Sequence, residues 1–331
     1  MEGPVALAID VGGTKVTVGL VDAHGVIRRQ ETMPTRVADP AEASGVSAAE
    51  ALLERVAALA QRLRSEAVSQ GWDAPVAAGI GTTGHVDARR GVVLHSGLVV
   101  GWSGLDLGPR MARRLGLPVR LLNDGHAMAV AEHRLGAARG SDHALCVAVG
   151  TGVGGGLIHE GRLYLGSRGL AGLLGHTTIA FNGRRCQCGK QGCLEAYAAG
   201  PRIVDEYHRR RRRIPGDIPG ARPPRAASLQ EVVRRAENGD VAAIQAIERG
   251  GAYLGAGLAS LANALNPRVI VVGGGVLGAG PRWFGAVAHT VQQRVRHTVA
   301  EGLEVRPAAL GPQAVLVGAG LAALEEEWRR P

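Results

Sequence analysis

Val5-Ala6-Leu7-Ala8-Ile9-Asp10-Val11-Gly12-Gly13-Thr14-Lys15 is the stretch from which the fold can be read. The apolar run Val5 to Val11 is a strand, Gly12 to Lys15 a glycine turn, Val16 to Val21 a second strand, and Gly25 to Met33 a third, the hairpin-like start of a sheet. The pattern restarts far downstream. Ala144 to Val149 is a strand, Gly150-Thr151-Gly152-Val153-Gly154-Gly155-Gly156 a turn, and another strand runs through His159. We read this as a weak internal duplication of one α/β unit, visible in architecture more than in identity.

Working outward, Ser47 to Val68 carries Ala, Leu and Val at helical spacing. Val76 to Ile80 is a buried strand that breaks at Gly81-Thr82-Thr83-Gly84, and Leu105 to Leu115 is a short helix. Pro118 to Leu122 is a strand that stops at Asn123-Asp124, and Ala127 to Leu135 is a helix. Ala242 to Leu265 is a long helix closed by Pro267, and the strand Val269 to Val272 leads into Gly273-Gly274-Gly275. Ala314 to Val317 reads as strand-like, followed by Gly318-Ala319-Gly320 and a closing helix to Trp328. Strands alternating with helices make an α/β fold, and glycine turns after strands put ligands at strand ends.

The length of 331 residues suits two domains. With 46% hydrophobic residues but 3% aromatics, the cores must be built from Val, Leu, Ile and Ala. The 50 glycines cluster without a period, which excludes collagen and linker readings. Met1-Glu2-Gly3-Pro4 lacks the basic region of a signal peptide, and no apolar stretch reaches membrane-spanning length. Three of the four cysteines are crowded into Cys186 to Cys193, a poor disulfide framework and a good metal cluster. We therefore expect a cytoplasmic protein without a membrane partner. The formal charge is +9, but five of the positive charges form the run Arg209 to Arg213, within a Pro- and Arg-rich segment at 208–227. That segment reads as a mobile, solvated insertion. No helix-turn-helix pattern and no stripe of aromatic and basic residues is present, so no nucleic-acid partner is expected.

Five motifs carry chemistry. In Asp10-x-Gly12-Gly13-Thr14-Lys15 the glycine N–H groups can close on phosphate oxygens, the Thr14 hydroxyl can donate, and Asp10 can position hydrated Mg2+. A tight hairpin turn explains the motif equally well. Gly150 to Gly156, with Thr151 and Gly152 at its head, could cradle more of the same polyphosphate or be a glycine-rich hairpin. Asn123-Asp124 stands at a strand end and helix start. Asp124 could be an N-cap, or the carboxylate that a kinase needs to accept the proton of an attacking hydroxyl. His176 with Cys186, Cys188 and Cys193 is the most specific signal, because one imidazole and three thiolates complete a closed, structural Zn2+ site. Asn266-Pro267 through Gly273-Gly274-Gly275 offers a flat surface for an adenine ring, or only a helix stop and a turn. Cys146 lies in a strand as a small core residue.

These motifs, together and in this order, resemble the ROK family of sugar kinases, repressors and open reading frames, especially its bacterial glucokinase-like members, over nearly the whole chain. The resemblance implies a two-domain, actin-like ATPase (ribonuclease H-like) fold with an interdomain cleft and a structural zinc loop. It implies one domain from 1–122 plus 314–331. A larger one from 123–313 would hold the zinc loop at 176–193 and the basic insertion at 208–227. Asp10, Gly12, Gly13, Thr14 and Lys15 look like the first phosphate loop, Thr151 and Gly152 part of the second, and Gly274 and Gly275 the adenosine segment. Asn123, Asp124, His176, Glu195 and Gly84 would face the acceptor, with Asp124 as the base. ATP, Mg2+ and structural Zn2+ are the implied cofactors, and a homo-oligomer, dimer or tetramer, the implied assembly.

Three departures fall where the acceptor is expected. The family usually has Glu-x-Gly-His before the cysteines, and here Leu173-Leu174-Gly175-His176 stands instead. Thr83 takes the place of a Pro, and Ser96-Gly97 that of an Asn. The expectation is ATP-dependent phosphorylation of a primary hydroxyl on a hexose-like acceptor such as an amino sugar or cyclitol. The alternatives are an ordinary glucokinase, or a sugar-binding regulatory protein without catalysis.

Overall fold

The structure is a computed structural model that describes residues 3–36, 45–212 and 228–325. Most of the 208–227 segment, and Trp328, lie outside the described residues. In chain order the elements begin with β1 (Val5–Val11), β2 (Lys15–Asp22), β3 (Ile27–Pro34), α1 (Gly45–Ser69), β4 (Ala77–Thr82), β5 (His85–Asp87) and β6 (Val92–His95). They continue with α2 (Leu107–Leu115), β7 (Val119–Asn123), α3 (Asp124–Arg134), β8 (Ala144–Val149), β9 (Val153–His159), β10 (Arg162–Tyr164), α4 (Glu195–Ala198) and α5 (Gly200–Arg211). The last are α6 (Leu229–Glu237), α7 (Val241–Leu265), β11 (Val269–Gly273), α8 (Pro281–Arg294), α9 (His297–Ala300), β12 (Glu304–Pro307) and α10 (Ala314–Leu324).

Two compact units result, the first from Met1–Gly140, Gly156–Gly172 and Leu310–Pro331, the second from Ser141–Gly155 and Leu173–Ala309. The division therefore falls after Gly140 and not at residue 122. The reason is the packing of α3. A Cβ on Gly318 of α10 would come 1.7 Å from the Ala127 carbonyl oxygen on α3, so these helices touch backbone to backbone and α3 belongs to the first unit.

The first unit holds a sheet in the order β3-β2-β1-β4-β7. β1 and β2 pair antiparallel from Val5↔Asp22 to Val11↔Val16, so residues 12–14 are the hairpin turn. β4 lies parallel to β1 with Val11↔Thr82, and β7 parallel to β4 with Thr82↔Asn123. This register sets the Gly12 turn, Thr83-Gly84 and Asn123-Asp124 side by side at the carboxyl ends of β1, β4 and β7, where ligands of such sheets bind. One face of β1, with Leu7, Ile9 and Val11, shares a core with Leu53, Val56, Ala60 and Leu63 of α1. The other face is small: Ala6 and Ala77 pack with Ala323, and Ala8 and Val21 with Leu316. A Cβ on Gly79 would come 1.8 Å from the Ala319 oxygen, so α10 lies directly on the strands. The strand expected at Ala314 to Val317 is thus the first turn of a helix. Four apolar residues cannot tell a strand from a helix buried on several sides.

The second sheet runs β10-β9-β8-β11-β12, the same third-second-first-fourth-fifth order as the first sheet, and β8, β11 and β12 are parallel. α7 begins at Asp240, whose side chain accepts from the Ala242 and Ala243 N–H groups, and ends at Asn266 in the left-handed region (φ 45°), just before Pro267. The first part of the basic run is helical. Arg209, Arg210 and Arg211 belong to the last turn of α5, where positive charge suits the helix dipole, and Arg209 and Arg210 pair with Glu206. No described helix is long and apolar enough to cross a membrane.

Candidate active site

The candidate residues fall into two groups, one in each unit. In the first unit Asn123 is the N-cap of α3. Its Oδ1 accepts from the Gly125 N–H at 2.8 Å and its Nδ2 donates to the Gly84 carbonyl at 2.7 Å. One amide side chain thereby ties the helix start to the Gly84 turn. Gly84 has φ 103°, and a Cβ there would come 2.3 Å from the His95 oxygen, so no other residue fits. Asp124 is the first residue of α3 and also accepts from the Gly125 N–H at 2.8 Å, but the capping conformation is that of Asn123. Burial pushes the Asp124 carboxyl up to about 6, against the downward pull of the Gly125 N–H. Asp10, at the end of β1, is also raised to about 6, by burial first and then by the charge of Asp124, with Lys15 opposing. A carboxyl raised in this way can accept a proton near neutral pH, and two carboxylates at one strand-end site can hold a cation when ionised. In the turn itself the Gly12 N–H donates to the Lys15 oxygen at 2.9 Å, and the Thr35 hydroxyl donates to the Gly12 oxygen at 2.7 Å. Thr35 was invisible as a site residue in the sequence, because nothing local marks a residue that reaches back over 23 positions.

In the second unit, His176, Cys186, Cys188 and Cys193 converge, with their ligand atoms all within 4.8 Å of one another. The Cys188 and Cys193 sulfurs are 3.7 Å apart, and the Cys186 sulfur is 3.9 Å from His176 Nδ1. Zn–S bonds of about 2.3 Å at tetrahedral angles place sulfurs about 3.8 Å apart, so the four residues fit Zn2+. The turn that arranges them is closed by Cys186 N–H to Lys190 O at 2.8 Å and Gly189 N–H to Cys186 O at 3.1 Å. Gly192 is required because a Cβ there would lie 1.8 Å from the Ala180 oxygen. Glu195, the first residue of α4, has its Oε1 3.8 Å from the Cys186 sulfur, while its Oε2 accepts from the Val153 N–H at 2.9 Å. The residue expected to face the acceptor is thus also the link between the zinc loop and the second glycine turn. In that turn the Gly150 N–H donates to Gly152 O at 2.9 Å and Thr151 is exposed. Gly274 packs on the end of β8, where a Cβ would come 2.4 Å from the Val149 oxygen, whereas one on Gly275 would meet open space.

A family model described as "ROK family" matches residues 6–326. The chain belongs to the ROK family. Its fold is the actin-like ATPase fold, and the repeated sheet order is that fold's signature in this structure. The ROK chain is 32% identical over 317 residues to a glucokinase of Thermotoga maritima, covering 95% of each. It is 33% identical over 271 residues to an N-acetylmannosamine kinase of Yersinia pestis, covering 82% of each. Among solved structures it is similar to a ROK family glucokinase from Streptomyces griseus in complex with glucose and AMPPNP, with a TM-score of 0.77, 31% identity, and coverage of 96% of this chain and 99% of that one.

The three departures of this ROK protein have visible physical consequences. Leu173 is 40% exposed, an apolar side chain presented to solvent just before the Leu174–His176 turn. The Thr83 hydroxyl is buried and has no hydrogen-bond partner. Ser96 is used within its own loop, its hydroxyl accepting from the Val99 N–H at 3.2 Å. His126, which the sequence did not single out, is buried two residues beyond Asp124, with Nε2 2.5 Å from the Ala171 oxygen, and burial lowers its pKa.

Proposed function

We propose that this ROK protein is an ATP-dependent kinase acting on a primary hydroxyl of a hexose-like acceptor, and that the acceptor is an amino sugar or a cyclitol in preference to glucose. The observation that carries the activity is Asp124: a carboxylate raised to about 6 at the head of α3, beside an asparagine clamped to the Gly84 turn. In the reaction the acceptor oxygen bonds to the γ-phosphorus of ATP, the bond to the departing ADP breaks, and the hydroxyl proton passes to Asp124. Asn123 and Gly84 hold the acceptor against that carboxylate. Asp10 would hold Mg2+, which offsets phosphate charge. The glycine turns at Gly12 to Lys15, Thr151-Gly152 and Gly274-Gly275 would receive the phosphates and adenosine. His176 faces the Cys186 sulfur with Nδ1, and the role of Zn2+ would be to fix the loop that carries this histidine and Glu195. ATP and reduced thiols both point to the cytoplasm.

The acceptor preference rests on Leu173. The names of the relatives already span a plain hexose and an amino sugar. Leucine cannot accept a hydrogen bond, so a sugar hydroxyl buried against it costs about 1–3 kcal/mol. An acceptor that lacks this hydroxyl avoids the cost. ADP release with magnesium-ATP across glucose, mannose, fructose, glucosamine, N-acetylated amino sugars, kanosamine and C7 cyclitols tests the reading, with Asp124→Asn as control. Turnover of an amino sugar or cyclitol above that of glucose, lost in the control, is expected. Glucose turned over as well or better would overturn the acceptor assignment, and no ADP release from any acceptor would overturn the kinase.

A further inference from the structure

Away from the glycine turns and the zinc loop, the second unit concentrates guanidinium groups for which the proposed reaction has no use. Glu206 on α5 is 5% exposed, and four arginines converge on it: Arg184 at 2.8 Å, Arg209 at 2.7 Å, Arg210 at 2.9 Å and Arg249 at 3.9 Å. They hold the Glu206 carboxyl below its ordinary range, although burial opposes them. One carboxylate cannot neutralise four cations. On the neighbouring helix Arg282 pairs with Glu248 at 3.4 Å, and that arginine side chain stays 58% exposed.

Three of these arginines open onto one groove of about 580 Å3 along α7 and α8, lined by Arg210, Arg249, Arg282 and His289 with Gly285 and Ala286 between them. The spacing explains the arrangement. Arg249 and Ala252 share a face of α7, and Arg282, Gly285, Ala286 and His289 recur at three, four and seven residues on α8. Small residues leave room between the cationic walls.

We propose that this groove binds a polyvalent phosphate ligand, a small molecule bearing a chain of phosphoryl groups, gripped by Arg249, Arg282 and Arg210. Guanidinium forks match phosphate oxygens in pairs and stay charged at every relevant pH. No Phe, Tyr or Trp lines the groove to stack a nucleic-acid base, and Glu248, which pairs with Arg282, is the one carboxylate among its lining residues that a bound phosphate must compete with. None of the glycine-turn residues lines it, so the site is separate from the proposed nucleotide loops and does not depend on the kinase reading.

The test is isothermal titration of the full chain with sodium tripolyphosphate in excess magnesium, with the arginine variants below locating the site. Parallel titrations use glucose 6-phosphate and a poly-glutamate peptide. One saturable site for tripolyphosphate is expected, weakened at least tenfold in the double variant Arg249→Ala, Arg282→Ala. The matching double lysine variant falls in between, because lysine keeps the charge and loses the fork. Circular-dichroism melting within a few degrees of the parent shows that these variants fold. Unchanged affinity in the double alanine variant, or no saturable binding, overturns the proposal. Glucose 6-phosphate binding as tightly as tripolyphosphate overturns the polyvalent requirement. Tighter binding of poly-glutamate would assign the groove to an acidic protein partner instead.

Discussion

Asp124→Asn should make the protein more stable and nearly inactive, with a gain in stability that depends on pH. The substitution keeps the side-chain shape and an oxygen to accept from the Gly125 N–H, a bond of 2.8 Å in the parent, and removes the charge. Burial raises the Asp124 pKa from 3.8 to about 6 in the folded state. A group whose folded pKa is raised stabilises the fold below its unfolded pKa, and that contribution disappears as pH rises through the folded value. The wild type therefore loses stability from about pH 4 to about pH 6 and carries the full cost above. At about 1.4 kcal/mol for each tenfold change in acidity, a carboxyl roughly a hundredfold weaker as an acid costs about 3 kcal/mol. Asp124 is partly exposed, so water screens some of this; about 1–2 kcal/mol is the expected gap at pH 8. Removing the charge also relieves Asp10, whose carboxyl Asp124 helps to raise. Urea unfolding of both proteins at half-unit intervals from pH 4.5 to pH 8 measures the gap, and ADP release at pH 8 should fall by about 10^2-fold or more. A gap that does not change with pH, or a variant less stable than the parent at pH 8, would refute the argument that burial sets this carboxyl.

Further outcomes follow from other features. With Asp124 as base, kcat/KM should fall about tenfold per pH unit below about pH 6; a profile flat down to pH 5 would remove Asp124 from that role. Leu173→Glu should improve glucose against the best amino sugar or cyclitol by about 5- to 150-fold, the equivalent of about 1–3 kcal/mol, as read from competing-substrate kcat/KM ratios. Cys193→Ser should lower bound zinc, measured by elemental analysis, from one ion per chain towards none. It should also lower ADP release, because Glu195 joins the cluster to the Val153 N–H. Gly79→Ala should lower the melting temperature sharply, since its Cβ would stand 1.8 Å from the Ala319 oxygen, and overpacking costs about 1–3 kcal/mol or more; Gly275→Ala, facing open space, should leave it unchanged.

Much of this was legible from local pattern. β1 and β8 lie at the bounds read from apolar runs and glycine turns, because both ends of each strand carry unambiguous punctuation, whereas β9 begins at Val153, inside the segment read as a turn to Gly156, because glycines in a strand carry no apolar signal. The zinc cluster was legible because metal geometry demands particular residue types close in sequence. What escaped depended on distant contacts. The first turn of α10, Ala314 to Val317, read as a strand because the apolarity of this helix on all sides is explained only by β1, β4 and α3 around it. The roles of Thr35 and His126 came from oxygens on Gly12 and Ala171, which no local pattern announces. The short elements α4, α9 and β10 are too brief to show a period. The arginine run read as a solvated segment because its counter-ion, Glu206, precedes it inside the same helix.

The seating of α10 on backbone atoms has a further consequence, for the order of events during synthesis. Gly79 and Ala319 bring the last described helix into direct contact with a strand made in the first quarter of the chain, and Gly318 seats it on α3. Until residue 324 has left the ribosome, the Ala6, Ala8 and Ala77 face of the first sheet has nothing to bury it. The second unit, by contrast, is finished once Ala309 is made. Domains commonly complete in order from the N-terminus, but here the later-encoded unit can close first. The nascent chain must carry an open, alanine-lined sheet through most of its translation. A loss of a dozen residues before position 325 would thus strand the first unit, and with it Asp124, while leaving the zinc-bearing unit whole.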